Sequence, residues 1–354
     1  MRTAIRRVAM LAAVAALASA ALAEEADTVH VPAFDLPVSE FLGDESRAAL
    51  RRRAAEFARM RARCPFDAAT ATAEDVIARR RCAEQHYFPA FIARIRARYA
   101  VDIERGTLGG VPVEIITPAQ GISSTNRKRV LINLHSGGFI GGGRWSGQVE
   151  SIPIAALGKF KVVAVDYRLA PEYKFPAASE DVAAVYTALL KEYRPASIGI
   201  YGCSAGGVLT AQAVAWFHKE RLPTPGAVAM LCGAAFAEAG GDAARLADAR
   251  SGPAAGPDRI RYFSATDLQN PLASPGLSRE VLAQFPDSLL VSATRDGALS
   301  TVLVTHARLV AAGVRADLRV WEGLDHAFHL DPDLPEAREV SDIVVRFFGE
   351  RLRD

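Results

Sequence analysis

Ser197-Ile-Gly-Ile-Tyr-Gly-Cys-Ser-Ala-Gly-Gly-Val-Leu209 is the stretch around which this 354-residue chain is organised. Its β-forming residues run into Gly202-Cys203-Ser204-Ala205-Gly206, a G-x-S-x-G pentapeptide, and a helix-forming run begins at once. Strand, sharp turn, helix is the order that a nucleophile elbow requires. Such a turn holds the serine in a strained backbone conformation with its hydroxyl exposed at the end of a sheet. Side chains at the flanking glycines would collide with neighbouring backbone. The N-terminus of the following helix favours negative charge, and the Ala205 N–H can donate to an oxyanion. For the serine to react, the chain must also supply a histidine, an acid and further oxyanion donors.

The donors are expected in His135-Ser136-Gly137-Gly138-Phe139, which directly follows the apolar run Arg129–Leu134. Successive glycines let the backbone close on a ligand and present N–H groups in an anion-binding concavity. Gly137 and Gly138 are therefore paired with Ala205 as an oxyanion hole, and His135 is read as a brace for the loop. Phe139 and Trp145 supply bulk beside it and are read as substrate-binding residues of an enclosed pocket. In a sheet of this kind acid and base follow the serine in the order Ser, Asp/Glu, His. Asp296 stands after the strand pattern Ser288–Ala293, and His326 after the one ending at Trp321. Both fall where open α/β sheets carry their sites, at the C-terminal ends of strands. Serine needs the histidine as base, and the histidine needs a carboxylate to fix its tautomer. Asp325, His306 and His329 are the competing candidates.

Outward from the elbow, strand and helix patterns alternate. Strands are expected at Asp102–Leu108, Val111–Thr117, Arg129–Leu134, Lys161–Tyr167, Ala227–Gly233, Ser288–Ala293 and Ala316–Trp321. Gly109-Gly110 marks a hairpin between the first two. Helices are expected at Gly147–Leu157, Ala177–Tyr193, Ala205–Glu220, Ala298–Ala312 and Leu334–Leu352. This alternation predicts an α/β fold, a mostly parallel sheet with helices on both faces. Before the strands lie Ala/Arg/Glu-rich helices at Asp44–Arg63, Ala73–Arg81 and Cys82–Tyr99, the last interrupted near Pro89. They are read as an N-terminal helical cap over residues 24–100, with the catalytic domain at 101–354. The arginine cluster Arg51–Arg53, continuing to Arg63, reads as a solvated helix face. An irregular, lid-like insert is expected at about 234–285, with the Gly/Ala/Pro-rich 238–257 as its lid element.

In these motifs the chain resembles the hormone-sensitive-lipase branch of the α/β-hydrolases, the bacterial esterases with an H-G-G-G loop. Besides the elbow and His135–Phe139, the likeness rests on Val165-Asp-Tyr-Arg-Leu-Ala-Pro-Glu172 with Phe175-Pro-Ala-Ala178 and Glu180-Asp181. It rests also on Asn270-Pro-Leu-Ala-Ser-Pro275, and on Asp296 with Gly323-Leu-Asp-His326. The resemblance implies a Ser204–His326–Asp296 triad, an oxyanion hole from Gly137, Gly138 and Ala205, and carboxylic-ester hydrolysis with neither metal nor organic cofactor. Three departures stand out: Ser136 for the first glycine of the loop, Cys203 for an acidic residue before the nucleophile, and Asp296-Gly-Ala-Leu-Ser300 for Asp-Pro-Leu-Arg-Asp. An amide or lactone hydrolase with the same triad, or a non-catalytic receptor on this fold, are the alternatives.

Arg2, Arg6 and Arg7 precede an alanine-rich apolar run and Ala21-Leu22-Ala23, the pattern of a signal peptide spanning 1–23. Export to the periplasm or outside the cell, without stable membrane insertion, is the expectation. A near-neutral balance of 42 Lys+Arg against 40 Asp+Glu gives no electrostatic case for nucleic acid. Among four cysteines, export permits a bridge between Cys64 and Cys82 in the polar cap. Cys203 and Cys232 sit in apolar surroundings and are expected as buried free thiols. No spacing of Cys and His suggests zinc.

Overall fold

The apolar runs on either side of the elbow form the middle of an eight-stranded sheet. A computed structural model of the chain describes residues 29, 31–67, 69–252 and 261–353. The chain divides into two units, Met1–Val38 and Ser39–Asp354. In the first, residues 31–38 are exposed and form neither helix nor strand. The expected signal peptide at 1–23 lies outside the described residues. Among those described, no helix is long and apolar enough to cross a membrane.

The second unit opens with three helices, α1 (Asp44–Arg63), α2 (Ala73–His86) and α3 (Phe88–Arg98). Thr72 and Asp75 start α2 with a reciprocal capping box. The break between α2 and α3 falls at Tyr87, not at Cys82 as the sequence suggested, because Pro89 sits comfortably in the first turn of α3. Cys82 therefore lies within α2, where it is bonded to Cys64 at the end of α1, with Cα atoms 5.7 Å apart. Closing a loop of this size stabilises a fold by roughly 3 kcal/mol in the chain-entropy picture. Arg51 and Arg52 are exposed as expected. Arg53 is not on a solvated face: its guanidinium donates to the carbonyls of Ala327 and Phe328.

The strands are β1 (Val101–Leu108), β2 (Val111–Pro118), β3 (Val130–Leu134), β4 (Lys161–Val165), β5 (Ile198–Cys203), β6 (Ala227–Leu231), β7 (Asp287–Arg295) and β8 (Ala316–Asp325). They lie in the order β1-β2-β4-β3-β5-β6-β7-β8. The Gly109-Gly110 hairpin and the β2–β4 pair are antiparallel, and the other five pairs are parallel. Period-two alternation sends Val130, Ile132, Ile200 and Met230 to one face, and Leu131, Val162, Tyr201 and Val291 to the other. Helices α5 (Ala177–Leu189), α6 (Ala205–Lys219) and α9 (Leu299–Ala311) cover the first face through Tyr186, Leu209, Phe217 and Val302. Helices α4 (Gly143–Gly158) and α10 (Pro335–Arg351) cover the second through Ile152, Ala155, Val344 and Phe348.

The insert is less irregular than its composition suggests. It holds α7 (Gly241–Ser251) and a single turn, α8 (Arg279–Leu282), while 253–260 lie outside the described residues. The Ala243 amide donates to Ser300 Oγ at 3.0 Å, and Arg250 donates to the Arg295 carbonyl at 3.1 Å. The described part of 238–257 is thus tied to the start of α9 and the C-terminal end of β7.

Candidate active site

β5 ends at Cys203 and α6 begins at Ala205, so Ser204 alone makes the turn, at φ 57° and ψ −118°. A non-glycine residue rarely holds such a conformation unless its surroundings over-determine it. Here the Ser204 amide donates to the Leu231 carbonyl at 2.7 Å, and the Ser204 carbonyl accepts from Val208 at 3.0 Å. The two glycines of the motif are demanded by proximity. A Cβ on Gly202 would lie 2.2 Å from the Leu134 carbonyl oxygen, and one on Gly206 only 1.8 Å from it.

β7 and β8 each run further than the sequence pattern indicated, with a register shift between Ala293 and Arg295. This delivers Asp296 and His326 to the ends of adjacent strands, on the sheet edge that also carries Ser204. His326 Nε2 stands 2.8 Å from Ser204 Oγ, and its Nδ1 stands 2.7 Å from Asp296 Oδ1. Asp296 is fully buried and accepts also from Ser292 Oγ at 2.8 Å and the Ala298 amide at 2.9 Å. Burial acts against its charge, but the hydrogen bond to His326, the field of that ring and these donors prevail, drawing the carboxyl from 3.8 to about 2. The competing candidates are engaged elsewhere. Asp325 pairs with Arg250 at 2.6 Å, His306 lies 3.1 Å from the Ala316 carbonyl, and His329 is held well below its usual range, at about 3, chiefly by burial.

Gly137 and Gly138 take positive φ of 129° and 63°, as the concavity requires. Among the described residues no hydrogen bond from the amides of Gly137, Gly138 or Ala205 is seen, which leaves three donors at the mouth of the turn. The loop is held from several sides. His135 is buried and stacks at 4.0 Å on Tyr167, whose hydroxyl donates to the His135 carbonyl at 2.7 Å. Arg80 of α2 donates to the carbonyls of Ile140 and Ala170 and pairs with Glu172. Arg168 pairs with Asp181 and Glu180. The Asp-Tyr-Arg-Leu-Ala-Pro-Glu run therefore scaffolds the loop. Of the two expected pocket residues, Phe139 is buried and stacks at 4.5 Å on Tyr262, so its ring supports the loop from within. Trp145 lies in the first turn of α4, partly exposed, with its ring 6.4 Å from Phe88 of α3.

One residue of the site escaped the sequence reading. Glu150 of α4 is buried, accepts from the Ser136 amide at 2.7 Å, and accepts from Asn133 Nδ2 at 3.0 Å. It anchors the loop where Ser136 replaces glycine. Burial pushes its carboxyl from 4.5 up to about 7, although donors from Asn133, Ser136 and Cys203 partly offset that. The only signal in the sequence is a lone acid within the otherwise uncharged Gly147–Leu157. Because the folded chain keeps this proton to higher pH than the unfolded chain, the group withdraws stability as pH rises from 4.5 to about 7. The expected difference is about 3 kcal/mol. In Glu150→Gln the urea-unfolding free energy should therefore fall less between pH 5 and pH 8 than in the parent; parallel pH profiles would contradict the assignment.

The family of the alpha/beta hydrolase fold matches residues 131–330, more than half of the chain. An acetyl-hydrolase of Streptomyces hygroscopicus is 28% identical over 280 residues, covering 75% of this chain and 92% of that protein. The crystal structure of an esterase, E25, superposes with a TM-score of 0.80 at 26% identity, over 92% of this chain and all of that one. An esterase from the bacterial hormone-sensitive lipase family superposes with a TM-score of 0.71 at 27% identity, over 86% and 99% of the two chains. Together with the strand order and the elbow, these similarities support hydrolase activity on small esters. The chain belongs to the α/β-hydrolases, in the bacterial esterase group that resembles hormone-sensitive lipase.

Proposed function

We propose that the protein is an exported serine carboxylesterase that hydrolyses short-chain esters through an acyl-enzyme. The observation that carries this reading is the unbroken chain from Asp296 through His326 to Ser204, with links of 2.7 and 2.8 Å. His326 Nε2 takes the hydroxyl proton as Ser204 Oγ attacks the ester carbonyl. Asp296 holds the Nδ1–H tautomer and stabilises the imidazolium that forms. The amides of Gly137, Gly138 and Ala205 receive the oxyanion as the tetrahedral intermediate develops. The alcohol leaves with the proton from His326. Water then attacks the acyl-serine by the same route in reverse. Export is supported by the N-terminal sequence and by the Cys64–Cys82 bridge, which suits an oxidising compartment.

Two features favour short acyl groups. Arg53 and Arg80 draw the cap onto the His326 segment and the glycine loop, which leaves little room for an open lipid-facing groove. One relative is named an acetyl-hydrolase, an activity on the shortest common acyl group. A panel of p-nitrophenyl esters tests this on the protein lacking residues 1–23. Each added methylene that finds apolar wall contributes about 0.8 kcal/mol, or about fourfold in kcat/KM. The rise is expected to stop within the first few carbons. A maximum on long fatty acyl chains, or sharp activation by a lipid interface, would contradict the reading. Amides and lactones of the same acids belong in the panel, because the three residues do not encode the leaving group; esters are expected to be the faster substrates.

A further inference from the structure

Behind the reacting groups lies a thiol that the ester chemistry does not use. Cys232 follows β6 in a left-handed conformation, φ 49°, and is buried. Its Sγ accepts from the Ala327 amide at 3.4 Å, directly beside His326, and stands 4.0 Å from His329 Nδ1. One sulfur, one carboxylate oxygen of Asp296 and one ring nitrogen of His326 lie within 4.8 Å of one another. The three donors come from the ends of three successive strands and are far apart in the chain, so no sequence spacing announces them. We propose that Cys232, Asp296 and His326 form an inhibitory site for a thiophilic divalent cation, Zn2+ or Cd2+.

A sulfur, an imidazole nitrogen and a carboxylate oxygen are the ligand types that Zn2+ takes, at about 2.0–2.3 Å. Tetrahedral geometry at such lengths sets donors about 3.3–3.8 Å apart. No two of the donors stand more than 4.8 Å apart, while Nδ1 lies 2.7 Å from Asp296 Oδ1, so closing the site on a cation draws the wider pairs in and opens the ring from the carboxylate by roughly half an ångström. His326, whose side chain is 45% exposed, is the member with room to shift, exchanging its hydrogen bond to Asp296 for the metal. On binding, the thiol releases its proton to water and sulfur bonds the metal. Nδ1, which faces Asp296, bonds it too, and the Nδ1 proton is returned through solvent to Nε2. The neutral ring then directs an N–H at Ser204 and cannot accept the hydroxyl proton. Hard cations such as Mg2+ prefer oxygen donors and should be excluded. The inhibition rests on the triad proposed above; the binding of metal does not.

Titration of the Ser204→Ala protein with Cd2+, followed by the ultraviolet thiolate-to-Cd2+ charge-transfer absorption, reads binding without activity. A saturable band at one Cd2+ per chain is expected. Cys232→Ser should weaken it at least tenfold, and Cys203→Ser, which keeps a polar neighbour beside the Cys232 sulfur, should weaken it far less. His326→Ala, altered at an exposed ring, should weaken it comparably and serves if serine at 232 prevents folding. In the active protein Zn2+ should abolish turnover, EDTA should restore it, and Mg2+ at equal concentration should do neither. Absence of the band, a band indifferent to Cys232→Ser and His326→Ala, or metal bound without loss of turnover would overturn the proposal. A normal Cd2+ band in a protein inert toward every ester would support the site and count against the esterase reading alone.

Discussion

Asp296→Asn is expected to lower kcat by on the order of a thousandfold or more, and Asp325→Asn by no more than a few-fold. The two acids are both near His326 in sequence or space, but the structure separates their environments. Asp296 is buried, 2.7 Å from Nδ1, and fixed by Ser292 and the Ala298 amide. Asparagine there would present an amide where an anion is needed, misorient the imidazole and leave the imidazolium unsupported. Asp325 is half exposed and turned to Arg250. The substitution at 296 also removes a pH-linked contribution to stability. The carboxyl lies below its ordinary value when folded, so its contribution is present above pH 3.8 and lost as pH falls through about 2. Initial-rate kinetics on both variants, with circular dichroism to verify folding, decides the matter. A crippled Asp325→Asn beside a fully active Asp296→Asn would show that the acid had been misassigned.

Gly206→Ala is expected to destabilise the fold by more than about 4 kcal/mol or to prevent folding. The added Cβ would sit 1.8 Å from the Leu134 carbonyl oxygen and 2.9 Å from that of His135, both rigid backbone. Relief would require separating β3 from α6, and with it the glycine loop from the elbow. Gly349→Ala in α10 is the matched control, because nothing lies within 4 Å of a Cβ there. It should raise stability by about 0.5–1 kcal/mol through helix propensity alone. Urea-unfolding midpoints measure both. A Gly206→Ala protein with a midpoint near the parent's would mean that the elbow is not as tightly closed as described.

Much of this architecture was legible in the sequence because the relevant signals are local. The elbow glycines, the Gly109-Gly110 hairpin and the apolar strand runs each state a backbone requirement within a few residues. Chain order and strand ends point to Asp296 and His326: the first follows the buried run Ser288–Ala293, the second the alternating, partly exposed run Ala316–Trp321. The features that escaped depend on contacts across the chain. α4 begins at Gly143, earlier than expected, because three consecutive glycines conceal a helix start. α7 buries none of its residues, so its position follows from its packing beside α9 and β7 and not from an apolar face. Phe139 reads as a pocket wall until Tyr262, distant in sequence, takes its face. Arg53 looks solvated until the carbonyls of Ala327 and Phe328 are in place. Glu150 and Cys232 are single residues whose meaning arises only where strand ends and a helix converge.

The proposed nucleophile is Ser204, activated through His326. Treatment of the protein with a fluorophosphonate, followed by intact-mass measurement and peptide mapping, tests it most directly. Such a reagent stalls at the covalent stage only on a serine whose proton a neighbouring base removes and whose oxyanion is stabilised. One adduct per chain, on the peptide containing Gly202-Cys203-Ser204-Ala205-Gly206, is the expected result, with none formed in His326→Ala. An adduct on another residue, or an unmodified Ser204 in a folded protein, would contradict it.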